Sequence, residues 1–223
     1  MSVAPAKLIT FDCYGTLIDW YGGLRGTLSR LLPGADMDRL CDRYVELEME
    51  VESGPYQSYR EVMACTLAAL MEETGTPLPA AETDALGRAL PRWEPYPEVP
   101  AALARLQQDH ALGILSNIDD DLLDFSVARL KVTPAHCVTA AQVRSYKPGE
   151  AHFRRILEIS GLQPGEILHV AGSLLHDMAP ARKLGFRHLW VNRLGEQRPH
   201  WLPPDQEIPD LATLPDIANG VGA

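Results

Sequence analysis

The sequence predicts an α/β protein built on a doubly wound parallel sheet, with a helical segment inserted after the first strand. Three observations carry this. Short apolar runs recur at Lys7–Phe11, Ala111–Leu115, Cys137–Ala140, Ile167–Ala171 and His188–Val191. Continuous runs of this kind suit strands buried on both faces, as in a parallel sheet. Amphipathic stretches alternate with them, and strand–helix alternation builds an open, doubly wound sheet. From about Trp20 to Trp93 the alternation stops, and the chain reads only as helix-favouring sequence.

Taken in order, the first strand leads directly into the insertion. There Asp38–Val51 and Tyr59–Glu73 carry helical patterns. A Pro-rich join at 91–100, PRWEPYPEVP, returns the chain to the alternating pattern. Helices follow over Val99–Asp109, Leu122–Leu130, Glu150–Ser160 and Met178–Leu184, with Gly161 and Gly185 as stop signals for the last two. The tail, PPDQEIPDLATLPD, reads as surface loop plus one short closing element. The expected domains are therefore an α/β core over residues 1–17 plus 94–223 and a helical cap over 18–93.

Composition narrows the function classes. At 223 residues the chain can bury a substantial core, and 46% hydrophobic with 22% charged residues is ordinary for a globular protein. The net charge of −10, with both signs mixed along the chain, argues against nucleic acid and anionic membrane as partners. A small anionic substrate is still allowed, since a pocket needs only local cations. The N-terminus carries no apolar signal-peptide stretch, and no run approaches the roughly 20 residues of a membrane span. Cys13, Cys41, Cys65 and Cys137 are widely spaced, with no CxxC pair, and are expected as free thiols of a cytoplasmic protein.

In a doubly wound sheet ligands sit beyond the carboxyl ends of the strands. Polar residues at those ends should therefore gather into one crevice. The first strand ends in Asp12, followed by Tyr14-Gly15-Thr16, and the second in Ser116-Asn117. A Tyr146-Lys147-Pro148 turn follows the third, and Gly172-Ser173 leads to Asp177 after the fourth. A carboxylate, a Ser-Asn pair, a lysine and a second carboxylate are thus expected together.

These residues carry a resemblance. FDCYGTLID at 11–19, LSN at 115–117, YKP at 146–148 and AGSLLHD at 171–177 resemble, in order and spacing, the four motifs of the haloacid dehalogenase-like hydrolases. The likeness spans residues 7 to about 193, and within the superfamily it is greatest to the L-2-haloacid dehalogenase branch. Phosphatases of the superfamily read D-x-D and place an acidic residue in the fourth motif to help hold magnesium. Here Tyr14 and Gly172 stand at those positions. A hard cation wants several anionic oxygens, so no metal and no cofactor are expected.

The resemblance implies a Rossmann-like core and a two-step route: Asp12 attacks the substrate carbon, and water hydrolyses the resulting ester. Lys147 would keep Asp12 ionised and oriented, Asp177 would position the water, and Thr16 would brace the Asp12 loop. Ser116 and Asn117 would hydrogen-bond a substrate carboxylate, with helix N-capping as the alternative role. Tyr14, Trp20, Ser173 and Phe153 are placed around the substrate. His176 stands where the family has an aromatic residue, Phe153 where it often has Tyr, and Leu174 where it often has Asn. A cap arginine should stabilise the developing anion, and the Leu47-Glu48 register selects Arg43.

The implied activity is hydrolysis of small (S)-2-haloacids to 2-hydroxy acids, and the implied assembly is a homodimer through the cap. Other readings remain open. One is ring opening of a strained carboxylate such as azetidine-2-carboxylate on the same ester. Another is a phosphatase, and a third is a non-catalytic module that kept the fold.

Overall fold

A computed structural model describes residues 6–219. Residues 1–5 and 220–223, the outermost parts of the expected core domain and the N-terminal stretch read above for a signal, lie outside the described residues. The elements run β1 (Leu8–Phe11), α1 (Trp20–Leu31), α2 (Met37–Glu52), α3 (Tyr59–Glu73), α4 (Ala85–Ala89), α5 (Val99–Asp109), β2 (Ala111–Ser116) and α6 (Asp120–Leu130). They continue with β3 (His136–Thr139), α7 (Ala140–Val143), α8 (Ala151–Ser160), β4 (Ile167–Ala171), α9 (Ala179–Lys183), β5 (Arg187–Val191), β6 (Glu207–Ile208) and α10 (Leu214–Ala218).

The strands form one parallel sheet in the order β3-β2-β1-β4-β5-β6. The chain first walks outward from β1 to β3, then returns to the far side of β1 and walks the other way. Neighbouring crossovers leave the sheet in opposite directions at β1 and β4, and this opens a crevice beyond their carboxyl ends. β1 is buried along its whole length, as a central strand covered on both faces must be.

Local signals explain the helix ends. Ser58 and Glu61 form a reciprocal capping box at the start of α3, satisfying amides that have no partner within the helix. α8 stops at Gly161, whose φ of 68° is the left-handed conformation a side chain would resist. Two details differ from the sequence reading. The expected helix from Met178 is preceded by a π-helical turn over Leu174–Met178, which lets the loop after β4 aim Asp177 inward. The tail contributes a sixth, two-residue edge strand and the helix α10.

From Trp20 to Arg92 the described chain carries helices joined by short turns and no strand. One hydrophobic cluster runs from Phe11, Ile114 and Val170 of the sheet into Leu24, Tyr44 and Leu67 of the insertion, so the insertion is packed on the sheet's crevice side. Polar contacts fix it there. The carboxylate of Asp119, in the loop after β2, accepts the backbone N–H groups of Tyr59 (2.9 Å) and Arg60 (3.0 Å) at the start of α3. The Tyr146 hydroxyl donates to the Gln57 carbonyl at 2.9 Å. A smaller cluster of Leu115, Val138, Phe153, Ile156 and Phe186 fills the opposite face of the sheet. No helix among the described residues is long and apolar enough to cross a membrane.

Ile9, with no exposed surface, lies in the central strand of this core. Truncation there leaves a cavity that rigid neighbours cannot fill. Ile9→Ala should lower unfolding free energy by about 2–5 kcal/mol, measured by urea denaturation as a lower midpoint at unchanged m-value.

Candidate active site

The strand ends bring Asp12, Ser116, Asn117, Lys147 and Asp177 to one crevice. Lys147 lies at its centre, 1% exposed. Its ammonium donates to Asp12 Oδ1 at 2.9 Å, to Asp177 Oδ1 at 2.6 Å and to the Leu115 carbonyl at 2.9 Å. All three N–H donors of the ammonium are thereby used. The Thr16 hydroxyl donates to Asp12 Oδ2 at 2.8 Å and accepts the Gly172 N–H at 2.9 Å. Both Asp12 oxygens are therefore held before any substrate arrives.

Burial pushes the Asp12 carboxyl upward, with Asp177 acting in the same direction, while Lys147 and Thr16 pull it down; the net direction is up. Asp177 is also penalised by burial, yet Lys147 and His169 outweigh that and hold it well below the usual carboxylate range. For Lys147 burial works against the charge, but the two carboxylates prevail and raise it. Lys147 therefore sits between an Asp177 carboxylate that it helps keep ionised and an Asp12 carboxyl whose charged form it favours against the cost of burial.

One member of this network was not singled out from sequence. His169 of β4, fully buried, places Nε2 3.0 Å from Asp177 Oδ1 and Nδ1 2.9 Å from the Thr10 hydroxyl. A proton on Nε2 satisfies both contacts, so the ring donates to Asp177 while accepting from Thr10. Its only sequence signal is a histidine inside an otherwise apolar central strand. Phe153, expected against the substrate, packs edge-on to this ring at 5.0 Å and is fully buried beneath the sheet. It does not reach the cavity. α8 sits on the sheet face away from the insertion, and the phenyl ring has only core to enter.

The other expected residues divide. Tyr14, Trp20, Ser116, Asn117, Ser173 and His176 all line one cavity of about 350 Å³ above Asp12. The Tyr14 hydroxyl contacts Ser126 Oγ at 2.8 Å. The Asn117 side chain is committed to the backbone of Lys147: Oδ1 accepts its N–H at 2.7 Å and Nδ2 donates to its carbonyl at 3.1 Å. Ser173 Oγ accepts the His176 N–H at 3.0 Å and lies 3.1 Å from Nδ1 of the same ring. Burial lowers the His176 pKa, which leaves the ring neutral at pH 7.

Arg43 is not in the cavity. It lies half-exposed on the outer side of α2, bonded to Glu73 (2.7 and 2.9 Å) and Glu46 (2.7 Å), with Glu50 at 3.6 Å. Helical phase explains this. α2 turns Val45, Glu48, Met49 and Glu52 toward the cavity, and Arg43, two residues before Val45, is roughly 200° further round. The cap therefore presents carboxylates over Asp12 where a cation was expected. Tyr59 donates its hydroxyl to Glu48 at 2.9 Å. Burial, eased by hydrogen bonds from Tyr59 and Tyr44, raises Glu48 to about 7. Burial and the neighbouring Glu48 raise Glu52 to about 9.

The site's donor set does not suit a magnesium ion. The ammonium of Lys147 occupies the space between the two buried carboxylates, and Tyr14 supplies a hydroxyl already in contact with Ser126. At position 172 an added Cβ would come 3.2 Å from the Gly15 carbonyl oxygen, so a carboxylate there would require the loop to shift. Among the described residues no three His, Cys, Asp or Glu side chains gather as a metal-binding group.

A capped parallel sheet with a buried lysine bridging two strand-end carboxyl groups defines an α/β protein with its candidate site at the switch point. A sequence profile described as a haloacid dehalogenase-like hydrolase matches residues 6–185, and the chain belongs to that family of hydrolases. No curated protein matches it in sequence. The fold is that of solved haloacid dehalogenases. The L-2-haloacid dehalogenase from Xanthobacter autotrophicus with covalently bound chloropropionic acid superposes with a TM-score of 0.85 at 23% identity, covering 97% of this chain and 100% of the other. The L-2-haloacid dehalogenase RSc1362 gives 0.86 at 24% identity, covering 99% and 100%. YfnB from Bacillus subtilis, solved with magnesium, gives 0.81 at 19% identity, covering 97% and 100%.

Two outcomes follow from this geometry. Removing the His169 donor leaves a buried carboxylate short of one hydrogen bond, so His169→Leu should cost about 1–3 kcal/mol. His169→Gln, which can still donate, should cost less, and urea denaturation at pH 7 compares the two. Glu52 titrates near its ordinary 4.5 in the unfolded chain and at about 9 when folded. Between these values the folded state binds more protons, so the carboxyl erodes stability as pH rises from 4.5 to 9. Glu52→Gln should therefore raise the urea midpoint at pH 8, with a gain that shrinks toward pH 4.5.

Proposed function

We propose that this hydrolase cleaves a bond between saturated carbon and a leaving group through an ester on Asp12, without a metal ion. Small (S)-2-halocarboxylates are the reference substrates. The observation that supports this is the Asp12 carboxylate itself, held at both oxygens by Lys147 and Thr16, with Tyr14 where a general acid would stand. A restrained, buried carboxylate is poised as a nucleophile, because little of its freedom remains to be lost at the transition state.

In the first step a carboxylate oxygen of Asp12 forms a bond to the substrate carbon, and the leaving group departs with its electron pair as the anion. In the second, water adds at the carboxyl carbon of Asp12 and the ester bond breaks. This returns the carboxylate and releases the alcohol and a proton. Asp177 has Oδ1 engaged by Lys147 and His169, and its second oxygen can take a hydrogen from the attacking water. Lys147 balances whichever carboxylate is charged at each stage. Its charge holds the attacking Asp12 oxygen in place when the ester forms, and it offsets the negative charge that develops on the Asp12 carboxyl group when water adds there.

The test is chloride release from L- and D-2-chloropropionate with EDTA present, beside the Asp12→Asn variant and a panel of phosphate esters. Release from the L-isomer, insensitive to EDTA and reduced on the order of a thousandfold or more in the variant, supports the reading. A single turnover in ¹⁸O-water should label Asp12 and not the product alcohol. Label in the product, or phosphate release that requires magnesium, would overturn it.

A further inference from the structure

The cavity above Asp12 has an electrostatic imbalance the hydrolytic mechanism does not use. Its lining carries five carboxyl groups, those of Asp12, Asp177, Glu48, Glu52 and Glu196, against two cations, Lys147 and Arg193. Lys147 is spent on Asp12 and Asp177. Arg193 donates to the Thr16 carbonyl at 2.8 Å, pairs with Glu98 at 2.6 Å and stacks over Tyr96 at 3.8 Å. Glu48 and Glu52, one turn apart on the inner stripe of α2, have no ion-pair partner among the described residues.

A second observation points to a ligand independently. Ser116 Oγ, 1% exposed and in the lining of the same cavity, has no hydrogen-bond partner. An unpartnered buried hydroxyl is costly in a folded protein unless something else satisfies it. The walls between these groups include Trp20, Tyr21 and Tyr59, whose ring faces favour an organic cation.

We propose that the pocket takes a small substrate bearing an ammonium group, held by Glu48 and Glu52 beside the Tyr59 hydroxyl, with its polar end at Ser116 and its reacting carbon at Asp12. The ammonium is a recognition group that stays with the substrate, and the leaving group is separate. Simple haloacids then reach Asp12 as incomplete substrates that lack the group the cap binds. The inference rests on the Asp12 reading for the reaction, but the binding does not need it.

Three considerations favour this occupant. A carboxylate at the ceiling would meet like charge with no free cation to balance it. A metal ion would need a third ligand that the described residues do not gather there. The position of the carboxylates is also built rather than accidental. Asp119 of the core anchors the start of α3, which places the Tyr59 hydroxyl on Glu48, and Trp20 Nε1 donates to the same hydroxyl at 3.3 Å. Burial raises both glutamates, to about 7 and about 9, so an arriving cation should expel protons from them.

The test is isothermal titration calorimetry on the full chain at pH 8 with n-butylammonium and butyrate, probes of equal length and opposite charge. The wild type should bind the ammonium at least tenfold more tightly. Glu48→Gln/Glu52→Gln together should remove that preference. Glu50→Gln, on the outer face near Arg43, should leave it intact. Butyrate binding as tightly as the ammonium, or a preference that survives the double change, overturns the proposal. So does an equal loss in Glu50→Gln, which would mean a bulk charge effect. Should the double variant fail to fold, the single variants Glu48→Gln and Glu52→Gln decide: the ammonium preference should fall in each, and a preference unchanged in both overturns the subsite. No turnover is involved, so absent chloride release sinks only the reaction, whereas chloride release without ammonium preference sinks only this inference.

Discussion

Everything at the centre of this molecule is arranged around one ammonium group. Lys147 is nearly inaccessible to water, and burying a charge costs several kcal/mol unless good partners replace the solvent. Asp12, Asp177 and the Leu115 carbonyl are those partners. Each comes from a different part of the chain: β1, the loop after β4, and β2. They can meet only because the sheet order sets β1 between β2 and β4. The outer contacts serve the same end. Asn117 grips both backbone groups of Lys147, while Thr16 and His169 hold the two carboxylates from behind. An ammonium so enclosed works as a fixed charge, tuning its neighbours without moving.

The helical insertion inherits its position from the same elements. Asp119 follows β2 in the loop that begins with Asn117, and it accepts the first amides of α3. Tyr146 precedes Lys147 and reaches Gln57 just before α3. Further round the rim, Arg129 donates to the Pro91 carbonyl at 2.9 Å and pairs with Glu94. The loops that fix the Lys147 cluster thus also fix the ceiling above it. A shift in either would be felt by both, because close-packed interiors transmit displacement.

Sequence reasoning reached the parts of this site that backbone direction alone decides. Asp12, Ser116, Lys147 and Asp177 follow strands or strand-like turns, and in a parallel sheet every such end points the same way. It failed where rotation about an element matters. Arg43 and Glu48 lie on the same helix, and a motif register cannot say which of them faces inward. The stripe Val45, Glu48, Met49 and Glu52 was present in the sequence at helical spacing, but no apolar contrast marked it as the inner face. Phe153 failed for a related reason, since its helix packs beneath the sheet. His169 was hidden inside a run read as apolar strand. A buried histidine gives no sign in sequence of whether its nitrogens meet a buried carboxylate, as His169 meets Asp177, or merely a backbone carbonyl, as His152 meets that of Ser116 at 3.1 Å.

The site therefore has two parts under separate physical control. The floor is a charge network whose members constrain one another, so a change at any one of them leaves a buried charge or donor unpaired. That coupling makes the floor hard to alter and gives it the recurrent pattern of motifs that sequence can detect. The ceiling is one face of α2, where a glutamate can replace a neutral or basic residue without breaking any contact the floor depends on. Likeness in fold at 23–24% identity speaks to the sheet and cap that frame both parts, but the sign of the charge over Asp12 is set residue by residue. In a cavity of about 350 Å³ that sign acts at short range and with little intervening water. The charge that a substrate would meet is consequently set by a helix separate from the strand ends that carry Asp12, Lys147 and Asp177.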